Sequence, residues 1–179
     1  PFGADLEGII VDAAGTWWLV DEYRPAIYNF NANGTLIERY VPAGTAASVG
    51  AAPGTYGAEL IPAVYAARRA NRGFEAVAID GDILYAFIQS PIDNPDVPND
   101  ASSRNGTYCR ILAMNVVTKQ IVGEYLYPMF ERSFGCDKIG DAVAMGGGKF
   151  MVIERDDATG LRARKYLFEI DLKGATNLI

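Results

Sequence analysis

The chain has 179 residues, 50% of them hydrophobic and 21% charged, which is enough to bury one ordinary core and too apolar for a disordered segment. Its net charge of −6 argues against a nucleic-acid partner, because such binding rests on cationic neutralisation of phosphates. The absence of histidine removes Ser-His-Asp and Cys-His triads and His-ligated zinc or iron, so any hydrolysis must run on carboxylates, an oxygen-ligated metal, arginine or lysine.

Glu7 to Val11 reads as a strand, Asp12-Ala13-Ala14-Gly15 as a turn, and Thr16 to Val20 as the next strand. Ala26 to Phe30 alternates as a third, Asn31 to Gly34 turns, and Thr35 to Tyr40 makes a fourth. Ala43 to Gly57 is rich in Gly, Ala and Pro and reads as a loop, and Leu60 to Arg69 as a short surface helix. Strands follow at Phe74 to Asp80, Asp82 to Gln89, Tyr108 to Val116 and Gln120 to Leu126, with a proline-rich insertion from Pro91 to Gly106. Asp141 to Met145, Lys149 to Glu154 and Lys165 to Asp171 complete the pattern. No window approaches the roughly 18 apolar residues of a membrane-spanning helix. With no initiator Met, and a repeat already under way in its first residues, the chain reads as a processed or truncated piece.

Three of these strands open alike: Leu6-Glu7-Gly8-Ile9-Ile10-Val11, Phe74-Glu75-Ala76-Val77-Ala78-Ile79 and Gly140-Asp141-Ala142-Val143-Ala144-Met145. Their carboxylates stand 68 and 66 residues apart, which divides one domain into repeats of roughly 5–42, 72–128 and 138–179. Tandem four-stranded meanders predict an all-β chain of β-propeller type. Three blades are too few for a closed ring, so the remaining blades, or a partner chain, are expected to complete it. A twisted sheet stack or an incomplete sandwich is the alternative.

Several smaller features stay open between two readings. Cys109 and Cys136 are either one disulfide or two buried thiols. Asn33-Gly34-Thr35 and Asn105-Gly106-Thr107 match a glycosylation acceptor, and Asn-Gly is equally a turn signal. Asp93, Asp96 and Asp100 lack the Gly and terminal Glu of an EF-hand, which argues against a calcium loop there. Gly146-Gly147-Gly148-Lys149 is followed by Phe150 and reads as a β-turn rather than a phosphate loop. Trp17 and Trp18 read as packing within a sheet.

Asp5-Leu6-Glu7-Gly8, Asp21-Glu22-Tyr23, Leu60-Ile61-Pro62, Asn71-Arg72-Gly73-Phe74-Glu75, Gln89-Ser90-Pro91, Gly123-Glu124-Tyr125, Lys138-Ile139-Gly140-Asp141 and Glu154-Arg155-Asp156 occur in order. Together they resemble the phytase-like family, also called esterase-like activity of phytase, over nearly the whole chain. The resemblance implies a propeller-type fold, export to an extracellular, periplasmic or lumenal space, and hydrolysis of a small phosphorylated or ester substrate. The chain departs from the family pattern at Arg24 and Ala76, where Gly is the more usual residue; an arginine there could bind an anion or plug the site.

In a propeller, the start of each blade's first strand and the end of its second face the same mouth of the central channel. Glu7, Glu75 and Asp141 should therefore converge with Asp21, Glu22, Gln89, Glu154 and Arg155. Oxygen ligands gathered there suit Ca²⁺, with Glu7, Glu75, Asp141, Asp21 and Glu154 as the expected ligand set. For hydrolysis, Glu75 or Glu22 would orient or deprotonate water, and Arg72 and Arg155 would hold the substrate's oxygens. The alternative makes the acids staples, pairing Glu7 with Arg72 or Asp141 with Arg155. Lys138 reads as a solvated charge.

Overall fold

The computed structural model describes residues 3–93, 97–98 and 100–179. The first sheet is a meander of β1 (Leu6–Val11), β2 (Trp17–Asp21), β3 (Ala26–Phe30) and β4 (Leu36–Pro42), to which β5 (Ala58–Ile61) adds in parallel. The second is the antiparallel meander β6 (Phe74–Asp80), β7 (Ile83–Ile88), β8 (Tyr108–Asn115) and β9 (Ile121–Pro128). The third has β10 (Lys138–Gly146), β11 (Lys149–Arg155) and β12 (Lys165–Asp171). The chain is thus all-β, as the alternation predicts, in three open sheets, the first of which extends past residue 42 through β5.

Local chemistry sets the hairpins. Between β3 and β4, the Asn31 side chain accepts from the backbone N–H groups of Asn33 and Thr35, and Gly34 takes the positive φ of 78° that closes the turn. Asn33 is therefore a turn residue, whereas Asn105 ends a single helical turn, α1 (Ala101–Arg104), inside the proline-rich insertion. Asp100 caps that turn through Ser103 N–H at 3.0 Å, a structural use of the carboxylate. Asp96 lies outside the described residues. The helix expected over Leu60 to Arg69 does not form. Leu60 and Ile61 close β5, and after Pro62, which favours an extended residue before it, Ala63–Ala67 makes a short 3₁₀ turn that buries Tyr65 completely. Cys109 and Cys136 are both buried free thiols, so no disulfide joins them.

The sheets meet along their first strands. β6 packs between β1 and β10, and one core of buried side chains runs through all three sheets. At the β1–β6 contact Gly8 lies so close to its neighbour that an added Cβ would sit 2.8 Å from Val77 N. Phe150 joins the other pair, edge-on to Tyr85 at 4.7 Å and to Phe87 at 5.8 Å. The backbone also passes from sheet to sheet. Gly73 N–H donates to Glu22 O at 2.6 Å, and Ile139 N–H donates to Gln89 O at 2.8 Å, so the ends of β2 and β7 are each tied to the start of the following sheet. Trp18 is fully buried, its indole N–H donating to Asp12 at 2.8 Å, and Trp17 is exposed.

Candidate functional site

Strand register decides which side chains share the junction of the three sheets. Leu6 pairs with Asp21, Phe74 with Ile88 and Ile139 with Glu154; in each sheet the pairing then slips. The residues left over are Glu7 with Gly8, Glu75, and Gly140. Such bulges re-aim a side chain out of the ladder. Glu7 and Glu75 are therefore equivalent, but their counterpart in the third sheet is Gly140. Asp141 pairs with Ile153 as Ala76 pairs with Phe87, one position later, and it is exposed. The expected ring of Glu7, Glu75 and Asp141 fails at its third member. Sequence alignment by the carboxylate missed a one-residue shift that only pairing reveals.

Immediately after Asp21, Ile88 and Glu154 come Glu22, Gln89 and Arg155, a second equivalent set. Gln89 and Arg155 meet on Glu75, and Gln89 links it to Glu22. Gln89 Nε2 donates to Glu22 Oε1 and to Glu75 Oε2, and Arg155 Nη2 donates to Glu75 Oε1 at 2.8 Å. Asn71 Nδ2 donates to Glu22 Oε2 at 2.7 Å. Gly140 makes the crossing possible, because a Cβ there would lie 2.8 Å from Arg155 Cδ. The result is one polar chain across three sheets, Asn71–Glu22–Gln89–Glu75–Arg155, with Glu22, Gln89 and Glu75 all buried. Both Nε2 hydrogens of Gln89 are engaged, and its buried Oε1 has no partner among the described residues.

Around the open side of Glu22 stand Asp5 and Glu7, both exposed. One oxygen from each of Asp5, Glu7 and Glu22 lies within 4.8 Å of the others. Oxygens bound to one Ca²⁺ at about 2.3–2.6 Å cannot stand more than about 5 Å apart, so this spacing fits a calcium ion. The ionised forms of Glu7 and Glu22 are disfavoured. Burial, followed by the charge of Glu75, pushes the Glu22 carboxyl up to about 7, and the same two causes raise Glu7. Asp5 and Asn71 were not singled out from sequence as site residues. The available signal was their place inside the ordered motifs Asp5-Leu6-Glu7-Gly8 and Asn71-Arg72-Gly73.

The other expected ligands are turned to structural work. Asp21 is fully buried and accepts from Asp5 N–H, Arg24 N–H and Tyr28 Oη–H, the last at 3.0 Å. Glu154, also fully buried, accepts from Tyr127 Oη–H at 2.7 Å and from the N–H groups of Phe130 and Glu131 at 2.7 and 2.9 Å. Each holds a strand end to its surroundings and offers an ion no route from solvent. Arg72 does not meet Glu7; it contacts Ser90 Oγ at 3.1 Å and Asp137 at 3.5 Å. Lys138 is buried rather than solvated, at 3% exposure, and pairs with Asp157 at 2.5 Å.

Comparison with known proteins adds the following. The model of the phytase-like family, described as esterase-like activity of phytase, matches residues 1–178. An "Uncharacterized secreted protein" of Arthroderma benhamiae is 32% identical over 107 residues, which is 52% of this chain and 21% of that protein. The chain therefore spans about a fifth of the length of this relative. Among solved structures, the tail fiber of Staphylococcus aureus phage P68 aligns over 90% of this chain and 27% of its own, with a TM-score of 0.46 and 11% identity. Nothing about this chain follows from a likeness of that degree.

Proposed function

The chain belongs to the phytase-like family, and from that premise we propose that it is part of an exported β-propeller hydrolase of phosphoesters or related esters, dependent on calcium. The observation that carries the reading is the set of three carboxylates, Asp5, Glu7 and Glu22, with oxygens within 4.8 Å, beside the unpartnered buried Oε1 of Gln89. Those residues would hold the ion, and a calcium ion bound there would offset charge on a phosphoryl or acyl oxygen. Glu22, buried beside Glu75 and next to the solvent-facing carboxylates, is placed to accept a proton from water. Arg155, with its side chain 30% exposed, keeps a face toward solvent beside Glu75 and can meet an anionic group. Glu75 acts through Arg155 and Gln89 as a positioning residue. Arg72, held by Ser90 and Asp137, is a second cation for substrate oxygens.

Export rests on the secreted relative. The described residues contain no helix long and apolar enough to cross a membrane. Further blades of a longer chain, or a partner chain, would cover the exposed apolar side chains of β1 (Ile9, Val11) and β12 (Leu167).

A second reading has its own observation. The Glu75–Arg155 ion pair and the Gln89 bridge tie all three sheets together, as a non-catalytic assembly module would require. Calorimetric calcium titration and phosphoester turnover of the full-length protein separate the two. The hydrolase reading expects calcium binding that weakens at least tenfold, by about 1.4 kcal/mol, in Glu7→Gln, and turnover that falls at least about 100-fold in Glu22→Gln. Absent calcium binding together with absent turnover leaves the assembly reading standing, and undiminished turnover in Glu22→Gln removes Glu22 from the catalytic role.

A further inference from the structure

Away from the carboxylates, three arginines line one cavity of about 250 Å³ between the β2–β3 turn, β4 and the loop that follows β4. Arg24, Arg39 and Arg68 supply the charge, Thr45 and Ser48 supply hydroxyls, and residues such as Val49 make the remaining wall apolar. No residue of the calcium set or of the polar chain lines this cavity.

Two of these arginines have no ion-pair partner among the described residues. Arg39 and Arg68 have no carboxylate within 4 Å among the described residues, although the chain as a whole carries −6. Arg39 lies over the Tyr28 ring at 5.1 Å, and its Nε and Nη2 are buried without an acceptor. Buried donors left unpaired are destabilising, and an arginine usually faces a carboxylate or a phosphate when it is this enclosed. Arg68 is held in place by Tyr23 O, which accepts from Nε at 3.1 Å and from Nη2 at 2.9 Å. That leaves the cationic face of Arg68 fixed rather than mobile. Burial, and then the nearby Arg24, lower its pKa, and the smaller opposing pull of Tyr23 and Asp21 does not offset them.

We propose that this cavity is a binding site for a small oxyanion with an apolar body, of the phosphomonoester class, separate from the carboxylate site. A dianion matches several guanidinium groups in a way that a monoanionic carboxylate cannot, and the apolar wall fits a short hydrocarbon or ring. The small volume excludes a large polyphosphorylated ligand from full enclosure.

The test is calorimetric titration of the full-length protein, stripped of metal with EDTA, using phenylphosphonate as a non-hydrolysable probe and benzoate as the monoanion control. Phenylphosphonate should bind saturably and more tightly than benzoate. Arg39→Gln and Arg68→Gln should each weaken it at least about tenfold, while Glu22→Gln leaves it unchanged. Circular dichroism shows whether each variant is folded, and Arg68→Gln carries the test alone if Arg39→Gln is not. No saturable binding at millimolar probe, equal binding in the folded arginine variants, or loss in Glu22→Gln would each overturn the site. Benzoate binding as tightly as phenylphosphonate would overturn the assignment to a dianion. Failure here leaves the calcium reading untouched, since the experiment is run without metal.

Discussion

Glu22 experiences two unfavourable influences at once, removal from water and the field of neighbouring carboxylates, and they raise its carboxyl from 4.5 to about 7. Between those values the folded state holds a proton that the unfolded state has released. The contribution to stability is full below about pH 4.5 and is lost as pH rises through about 7. Metal-stripped protein should therefore lose up to about 3 kcal/mol across that window relative to Glu22→Gln, read from paired thermal unfolding curves. Parallel curves for the two proteins would remove Glu22 from the account. Gly140 offers a second test at this scale. A methyl there would press on Arg155 Cδ at 2.8 Å and swing the guanidinium off Glu75. Gly140→Ala should cost about 1–2 kcal/mol by chemical denaturation, moderated because a flexible side chain can move aside.

At the level of the strands, Glu154 and Glu7 were both expected as calcium ligands, and they stand differently in the structure, Glu154 fully buried and Glu7 exposed. Glu154 latches β11 to the end of β9 and the segment after it through three donors, so Glu154→Ala should lower stability by about 2–4 kcal/mol while leaving calcium affinity unchanged. Glu7→Gln should do the reverse. The contact between β1 and β6 is less forgiving than that at Gly140, because the Cβ of Gly8→Ala would meet the backbone at Val77 N. Equilibrium denaturation should register a loss of about 1–3 kcal/mol there. Strand positions were legible in the sequence because alternation survives on sheets with one covered face, as in β2, β7 and β11. The bulges were not legible. Nothing in Gly140-Asp141 marks which residue is the extra one, since that depends on what Glu154 and Ile153 pair with across the hairpin.

For the molecule as a whole, the grouping into three modules was readable from repeated motifs, whereas the polar chain linking them was not. It joins Glu22, Gln89 and Arg155, an acid, an amide and a base at one equivalent position, and a search for like residues passes over complementary ones. The same scale carries the exposed apolar side chains of β1 and β12. A fragment limited to these 179 residues should self-associate through them, seen as species larger than 19.3 kDa in sedimentation velocity, and a monomeric fragment would argue that nothing further packs there. The carbonyl-to-amide links from Glu22 to Gly73 and from Gln89 to Ile139 run one way along the chain. Each junction thus rests on main-chain groups, so no side-chain substitution at Glu22 or Gln89 removes the acceptor that holds the next sheet.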